Sequence, residues 1–446
     1  MNTMNAGVAR VDITPVVGTW LQGYTREKGS EGIFERLYAK ALAFESGTKK
    51  SVLITSDLVG VSPGITLNVR KGIMKKIKGI EAENIMVSAT HTHCGPAILD
   101  NLCDGSVINK KYVQTLTEKL IGIAVKAWKD REPVKLGVGT GKAYFNINRR
   151  LPIPEGIGFM PNPKGPCDHE VGVIRIDNLE KKPKAIVMNF SCHPTVWGEQ
   201  LISPDYPGLA QKAVEKAFKG VTALSTTGAC GDIRPCFVKG PKAKTFGGGK
   251  PEFVVKAGNE LAREVIRVAR KIKTRANEEL GSISETIKLP LSKPLSISAL
   301  KKEIVTQAEK IKRMKKEKES SLIIVWEKSG LDWAKRTLKL IETKKFNPWV
   351  MGEIQLLNIG GIYLVGLPGE IMCEIGFAIK KHFKPRKSFI SAYTNGCIGY
   401  VPTPQALIEG GYEPNDSIKG FNLPARFSPK VQNVIEKTVA RLHKKM

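Results

Sequence analysis

The chain holds 446 residues, with Lys+Arg 70 against Asp+Glu 42 and a formal charge of +28 at pH 7. Its 41% hydrophobic and 25% charged residues, with 43 Gly and 26 Pro, lie near ordinary globular usage and exclude a collagen, a disordered chain or a coiled-coil rod. Lysines are spread through most segments without an RNA- or DNA-binding signature, so the basic excess reads as a solvated surface with no dedicated nucleic-acid motif.

No uninterrupted apolar run follows a basic start within residues 1–15, so no secretory signal is expected and a cytoplasmic location follows. Apolar runs that suit strands are residues 41–44, 51–56, 85–89, 171–176, 185–190, 221–225, 362–366 and 389–393. Helical patterning covers residues 64–77, 111–129, 209–218, 253–272 and 371–382, and the alternation of the two kinds predicts an α/β fold built on a mixed sheet. Residues 152–166, rich in Pro and Gly, read as a long loop. Residues 296–343 read as an inserted helical lobe, a hairpin broken near Ser320, in which Ile304, Ile311 and Met314 mark the apolar face of a lysine-rich helix. The longest apolar stretch, residues 356–367, is interrupted by Asn358 and is too short for a bilayer-spanning helix of about 20 residues. Eight cysteines with no CxxC pair and no regular framework are expected to be free thiols.

The residues that carry chemistry share one placement, each following a buried apolar strand. In open α/β sheets such loops gather at the carboxyl ends of strands, where ligands bind. Residues 85–89 run into Thr90-His91-Thr92-His93-Cys94-Gly95-Pro96, residues 185–190 into Ser191-Cys192-His193-Pro194, residues 362–366 into Pro368-Gly369-Glu370, and residues 389–393 into a segment from Asn395 to Tyr400. In extended backbone His91 and His93 project to one side, about 6.5 Å apart along the chain. Three of the six histidines at strand ends, with a glutamate after another strand, suggest a metal site with N/O ligands, most plausibly zinc. Glu370 also suits the N-terminus of a helix carrying Ile371, Ile375 and Ile379. Cys94, Cys192, Cys230 and Cys397 lie in the same motifs but lack finger-like spacing, and are left outside the metal shell.

These segments, together with Gly231-Asp232-Ile233-Arg234-Pro235, residues 395–403 and the opening Gly7-Val8-Ala9-Arg10-Val11-Asp12-Ile13-Thr14-Pro15, resemble in order and spacing the motifs of the neutral/alkaline non-lysosomal ceramidase family, in its N-terminal catalytic domain. The likeness spans nearly the whole chain and implies a single ceramidase-like catalytic domain over residues 1–446. It implies a zinc-dependent hydrolase that cleaves an N-acyl amide of a small-molecule or lipid-like substrate, with His91, His193, Glu370 and Tyr400 as ligands and His93 and Arg149 beside the reacting carbonyl. Asp232 is expected to cap a turn or to orient a ligand.

The sequence departs from the family where ceramidases carry a serine in their Gly-Asp-x-Ser-Pro segment, because Arg234 stands there. It also ends without the family's C-terminal β-sandwich and begins without its secretion signal, so the amide need not be that of ceramide. Arg234 suits either a substrate carboxylate or phosphate, or a structural pairing with Asp232 or Asp205. Two rival readings are an amidohydrolase-type barrel, which the Pro-Gly-Glu and Asn-Gly motifs do not suit, and a catalytically degenerate member that binds an anionic membrane surface or polyanion through its basic charge.

Overall fold

Alternation of side chains along the central strands decides the architecture. In the computed structural model, which describes residues 4–237, 245–247 and 249–446, Ala41 and Ala43 of strand Tyr38–Ser46 face one core while Leu42 and Phe44 face another. Strand Lys49–Ser56 divides in the same way, with Val52 and Ile54 against Leu53, as does Pro183–Phe190, with Ile186 and Met188 against Ala185 and Val187. A period of two with both faces apolar means that both faces are covered. Helices Lys110–Lys129, Asp205–Ala217 and Pro251–Lys271 cover one face. A second sheet covers the other, sending Leu280, Leu357, Ile359, Leu364 and Phe389 into the shared core.

The larger sheet has eight strands in the order Thr222–Thr227, Pro183–Phe190, Glu170–Asn178, Glu132–Lys142, Asn5–Asp12, Tyr38–Ser46, Lys49–Ser56, Ile85–Ala89. The smaller has four, Leu280–Pro290, Trp349–Ile359, Ile362–Gly366 and Ser388–Ser391. Both are mixed, so the α/β, mixed-sheet expectation holds. Both edges of the larger sheet and one edge of the smaller are parallel pairs, Lys49–Ser56 with Ile85–Ala89, Pro183–Phe190 with Thr222–Thr227, and Ile362–Gly366 with Ser388–Ser391.

These three parallel pairs matter because their carboxyl ends meet. The two edges of the eight-stranded sheet curl toward each other until Thr227 Oγ1 donates to the Thr90 carbonyl at 2.8 Å. The end of Ser388–Ser391 closes the junction: Ala392 N donates to Thr227 O, Ala89 N donates to Tyr393 O, and Ser88 and Ser391 share a hydroxyl contact of 3.0 Å. Loops that leave opposite sheet edges are thereby brought to one point.

Two expectations are corrected. Residues 152–166 are mostly a β-hairpin, in which Asn146–Ile153 pairs antiparallel with Gly156–Asn162 and a third strand, Ile233–Pro235, joins on the other side. Gly156, at φ +125, turns the chain so tightly that Pro and Gly here mark a turn between strands. Glu370 does not start a helix; Glu370–Ile371 pairs in parallel with Tyr400–Val401, and the helix begins at Cys373.

The helical hairpin is present as Ile297–Lys316 and Ser321–Glu342, between strands Leu280–Pro290 and Trp349–Ile359. Ser296 Oγ accepts from Ala299 N as its N-cap, Ile311 and Met314 are buried as the periodicity requires, and Lys310 meets Glu327 across the pair at 2.6 Å. The second helix packs on the chain near residue 420, with Trp333 Nε1 donating to Leu423 O and the Trp326 ring 6.5 Å from that of Tyr412. No helix among the described residues is long and apolar enough to cross a membrane.

Candidate metal centre and active site

The site forms where the three strand-end loops meet. His91 takes a left-handed backbone conformation, φ +70, so the extended pairing expected for His91 and His93 does not occur. The two rings nonetheless converge, perpendicular to each other, with Nε2 atoms 3.2 Å apart. Tyr393 stacks on His91 with ring centroids 3.8 Å apart and a 13° tilt. From the opposite sheet edge comes His193, wholly buried, whose Nδ1 donates to the carbonyls of Cys230 (2.6 Å) and Ile233 (3.0 Å). His91 Nδ1 likewise meets the Val59 carbonyl at 2.5 Å.

Those carbonyls fix the proton on Nδ1 of each ring and leave Nε2 as a lone pair. Both lone pairs point at one carboxylate oxygen: Glu370 Oε2 lies 2.8 Å from His193 Nε2 and 3.3 Å from His91 Nε2. Burial first, and then the Arg149 charge, push the His193 imidazole down to about 4, so it is neutral near pH 7. Burial works to raise the Glu370 carboxyl, but the neighbouring histidines hold it well below the usual carboxylate range. Without a positive charge among them the three buried acceptors repel one another, and either a proton on an Nε2 or a metal cation supplies that charge. A divalent ion with N/O ligands fits this donor set.

Tyr400 borders the same point, its hydroxyl 3.4 Å from His193 Nε2. Burial above all, and then the Glu370 charge, push this hydroxyl well up, whereas the Arg149 charge favours its ionised form. The backbone of Gly231 lies against Glu370: Gly231 N donates to Ile371 O, and a Cβ at this glycine would stand 2.6 Å from the Glu370 carbonyl. The ring nitrogens of His91, His93 and His193 also lie within 4.8 Å of one another, so a three-histidine arrangement is a geometric option.

His93, Arg149, Asp232 and Arg234 surround this cluster. His93 is held far below the ordinary imidazole value, by burial first and then by the charges of His91 and His193, and its Nδ1 has no partner among the described residues. Arg149 is fully engaged from below: Nε donates to Glu413 at 2.8 Å and a terminal nitrogen to the Gly231 carbonyl at 2.6 Å, with Tyr400 beside it. Asp232 faces away from the cluster, accepting from Asn148 Nδ2 and from Cys373 N, while its backbone carbonyl accepts from Arg149 N. It therefore positions Arg149 and the start of the following helix. The pairing of Arg234 with Asp232 or Asp205 does not form among the described residues, because Asp205 spends its oxygens on Trp197 N and Tyr206 N. Of the four strand-end cysteines, Cys230 meets the Tyr393 hydroxyl at 3.3 Å and Cys94 sits beside Arg26.

Sequence reasoning missed Tyr393, Tyr412, Glu413 and the Tyr24–Arg26 segment. Tyr412 lies edge-on to Tyr400 at 5.6 Å between centroids, Glu413 clamps both Arg149 and Arg150, and Tyr24 packs edge-on against His93 at 4.7 Å. A signal for the Tyr412 segment was present in Gly410-Gly411, whose positive φ values of 75 and 88 turn the chain back toward the site.

The chain is also similar to known proteins. The family model for neutral/alkaline non-lysosomal ceramidase, N-terminal, matches residues 4–255. Neutral ceramidase A of Dictyostelium discoideum is 28% identical over 273 residues, 55% of this chain and 37% of that protein. Neutral ceramidase of Pseudomonas aeruginosa is 25% identical over 250 residues, 51% of this chain and 36% of that protein. The aligned stretches thus span little more than a third of these relatives. In structure, neutral ceramidase from Pseudomonas aeruginosa superposes over 100% of this chain and 75% of its own at a TM-score of 0.76 and 20% identity. A ceramidase complexed with C2 gives the same TM-score of 0.76 at 19% identity, over 100% of this chain and 76% of its own. With the family's own model covering more than half of its length, the chain belongs to the neutral/alkaline non-lysosomal ceramidase family.

Proposed function

We propose that the protein is a zinc-dependent hydrolase that cleaves the amide of a lipid-like N-acyl compound, with residues 1–446 acting as one catalytic unit and residues 296–343 as an insertion in it. The carrying observation is the convergence of two imidazoles held through Nδ1 and a carboxylate on one buried point, a donor set that suits a divalent cation. His91, His193 and Glu370 would hold the ion, with Tyr400 completing the set. The relatives named neutral ceramidases support the amide bond as the target.

When bound, a zinc ion supplies a lowered pKa for water and polarisation of a carbonyl. The chain's own residues do the rest. Water's oxygen joins the acyl carbon, the C–N bond breaks, and a proton must reach the leaving nitrogen. His93, neutral at pH 7 and within reach of the cluster, is placed to carry that proton. Arg149, fixed by Glu413 and the Gly231 carbonyl, brings a permanent positive charge to the Tyr400 side of the site, where negative charge develops. Asp232, through Asn148 and Cys373, keeps the Arg149 strand and the Glu370 loop in register.

The test is metal analysis of purified protein joined to a panel of N-acyl amides and matching esters, comparing wild type with Glu370→Gln. Zinc near one equivalent, amide turnover in the wild type and loss of both in the variant are expected. A wild-type protein that neither contains nor takes up a divalent ion would end this reading.

A further inference from the structure

The arginine that stands at the family's serine position is half-buried, and among the described residues no carboxylate pairs with it. The buried arginines with charged partners are committed: Arg70 to Glu353, Arg149 to Glu413, and Arg150 to Glu409 and Glu413. Arg26, whose Nε is likewise unpartnered, differs in that its terminal nitrogens donate to the carbonyls of Tyr24, His93 and Glu199. Arg234 makes no side-chain hydrogen bond and no ion pair among the described residues, and its Nε is buried without a partner. Burial first, and the neighbouring Arg149 charge, lower its tendency to hold the proton, and an arginine nonetheless stays charged. A guanidinium whose Nε is shut away from water without a partner is costly to keep, and an anion meeting its fork offsets that cost.

Its surroundings fix where that anion would lie. Arg234 follows Ile233, whose carbonyl holds His193 Nδ1, so its backbone is one residue from the support of the metal cluster. Its guanidinium lies over Phe246, 4.3 Å from the ring centroid, and 5.6 Å from the centroid of Phe159, while Arg149 stands 4.9 Å from that same Phe159 ring. Stacking on aromatic faces holds the planar fork flat and leaves its edge, with its N–H groups, to face a ligand. Its charge also acts on the Tyr24 hydroxyl, whose ring packs against His93. Arg234 is thus bracketed by neighbours of Arg149 and of His93, the two groups that flank the reacting bond.

We infer that Arg234 is a specificity-determining residue that binds an oxyanion carried by the substrate close to the scissile bond, so that the preferred substrates are N-acyl compounds bearing a carboxylate or a phosphate. Planar carboxylate and phosphate both match the guanidinium fork through paired N–H donors. A serine at this place has no such charge, and an uncharged amide gives Arg234 nothing to pair with. The net charge of +28 favours approach of anionic substrates over long range. This inference rests on the hydrolase reading above for its turnover test, and a binding test separates the two.

The probes are N-lauroylglycine, N-lauroylethanolamine and the phosphate ester of N-lauroylethanolamine, each assayed with metal-loaded wild type, Arg234→Gln and Arg234→Lys. Wild type is expected to favour at least one anionic probe over N-lauroylethanolamine by tenfold or more in kcat/KM, and Arg234→Gln to reduce that ratio at least tenfold. Arg234→Lys is expected to keep part of it. Which anionic probe leads tells a carboxylate from a phosphate. No anionic preference in wild type overturns the inference, whatever the variants do, and so does a ratio unchanged in an Arg234→Gln protein that melts as wild type does. If no probe is hydrolysed, the proposed function fails, and calorimetric binding decides the inference alone: tighter binding of an anionic probe that Arg234→Gln abolishes upholds it, and equal binding of charged and uncharged probes overturns it.

Discussion

His193 Nε2 lies 2.8 Å from Glu370 Oε2, although 177 residues separate them and they leave different sheets. The contact joins two acceptors, since His193 Nδ1 donates to the Cys230 and Ile233 carbonyls. Its first consequence is for metal content. His91→Ala, His193→Ala and Glu370→Gln are each expected to lower zinc affinity by more than the ~10–100-fold that loss of an outer-shell partner costs. His93→Ala is expected to retain the metal while losing ~100-fold or more in turnover, as removal of a proton-transfer group does. Competition with a chelator, followed by elemental analysis, checks the set. Metal loss in His93→Ala with retention in Glu370→Gln would instead assign the ion to the three histidines.

A second prediction concerns Arg149 and Glu413, which meet at 2.8 Å and are both almost wholly buried. Breaking a buried pair by removing one partner leaves an uncompensated charge and costs about 3–5 kcal/mol. Arg149→Met is partly spared because Arg150 also holds Glu413 at 2.7 Å. Glu413→Gln, which strips two arginines of their shared carboxylate, is therefore expected to destabilise the fold more than Arg149→Met, whereas Arg149→Met is expected to cost more activity. Denaturant unfolding beside steady-state kinetics orders the two variants on each scale, and the same order on both would refute the division of roles.

How far the site was legible in the sequence follows from what each residue's signal depends on. His91, His193 and Glu370 could be singled out because each follows a short, mainly apolar strand, a pattern that survives without tertiary information, whereas Tyr400 came only with the family resemblance. Strands Glu132–Lys142 and Leu280–Pro290 were not legible, because glycine, lysine and serine interrupt their alternation and their pairing comes from distant neighbours. The hairpin at residues 146–162 was hidden by its own turn-forming prolines and glycines. Glu413 and Tyr393 were missed for a different reason. Their roles exist only through contacts with Arg149 and His91, set by how the two sheets close on each other.

Asp57 offers a test of burial independent of catalysis. Its carboxyl is pushed up to about 6, chiefly by burial, against the opposing hydrogen bond from Tyr38 N and the charge of Lys40. A folded-state value above the unfolded one means that the native protein holds this proton more tightly. Stability attributable to Asp57 therefore rises as pH falls from above 6 toward 4 and levels off below. The displacement corresponds to an effect on the order of 3 kcal/mol. Asp57→Asn cannot titrate, so the stability difference between wild type and variant is expected to shift in favour of wild type across that window. Chemical denaturation of both proteins at pH 7.5, 6, 5 and 4 measures it, and a difference that does not change with pH would contradict the burial argument.

Gly23 tests how tightly His93 must be held. This glycine sits at φ +112, a region that side-chain-bearing residues rarely adopt, and a Cβ built there would stand 2.6 Å from His93 Cγ. Its own N–H donates to Asp104 at 2.9 Å, so the backbone cannot easily swing away to make room. Gly23→Ala is therefore expected to cost about 1–3 kcal/mol of stability from backbone strain. It is also expected to turn the His93 ring away from His91 Nε2. Because His91, His193 and Glu370 lie beyond that ring, metal content should be retained while kcat falls, by as much as ~100-fold for a displacement of about 1 Å. Zinc quantitation and kinetics on the same preparation check this. Loss of metal in step with activity would mean that His93 belongs to the ion's own shell, and unaltered kinetics would mean that the reaction does not depend on where His93 points.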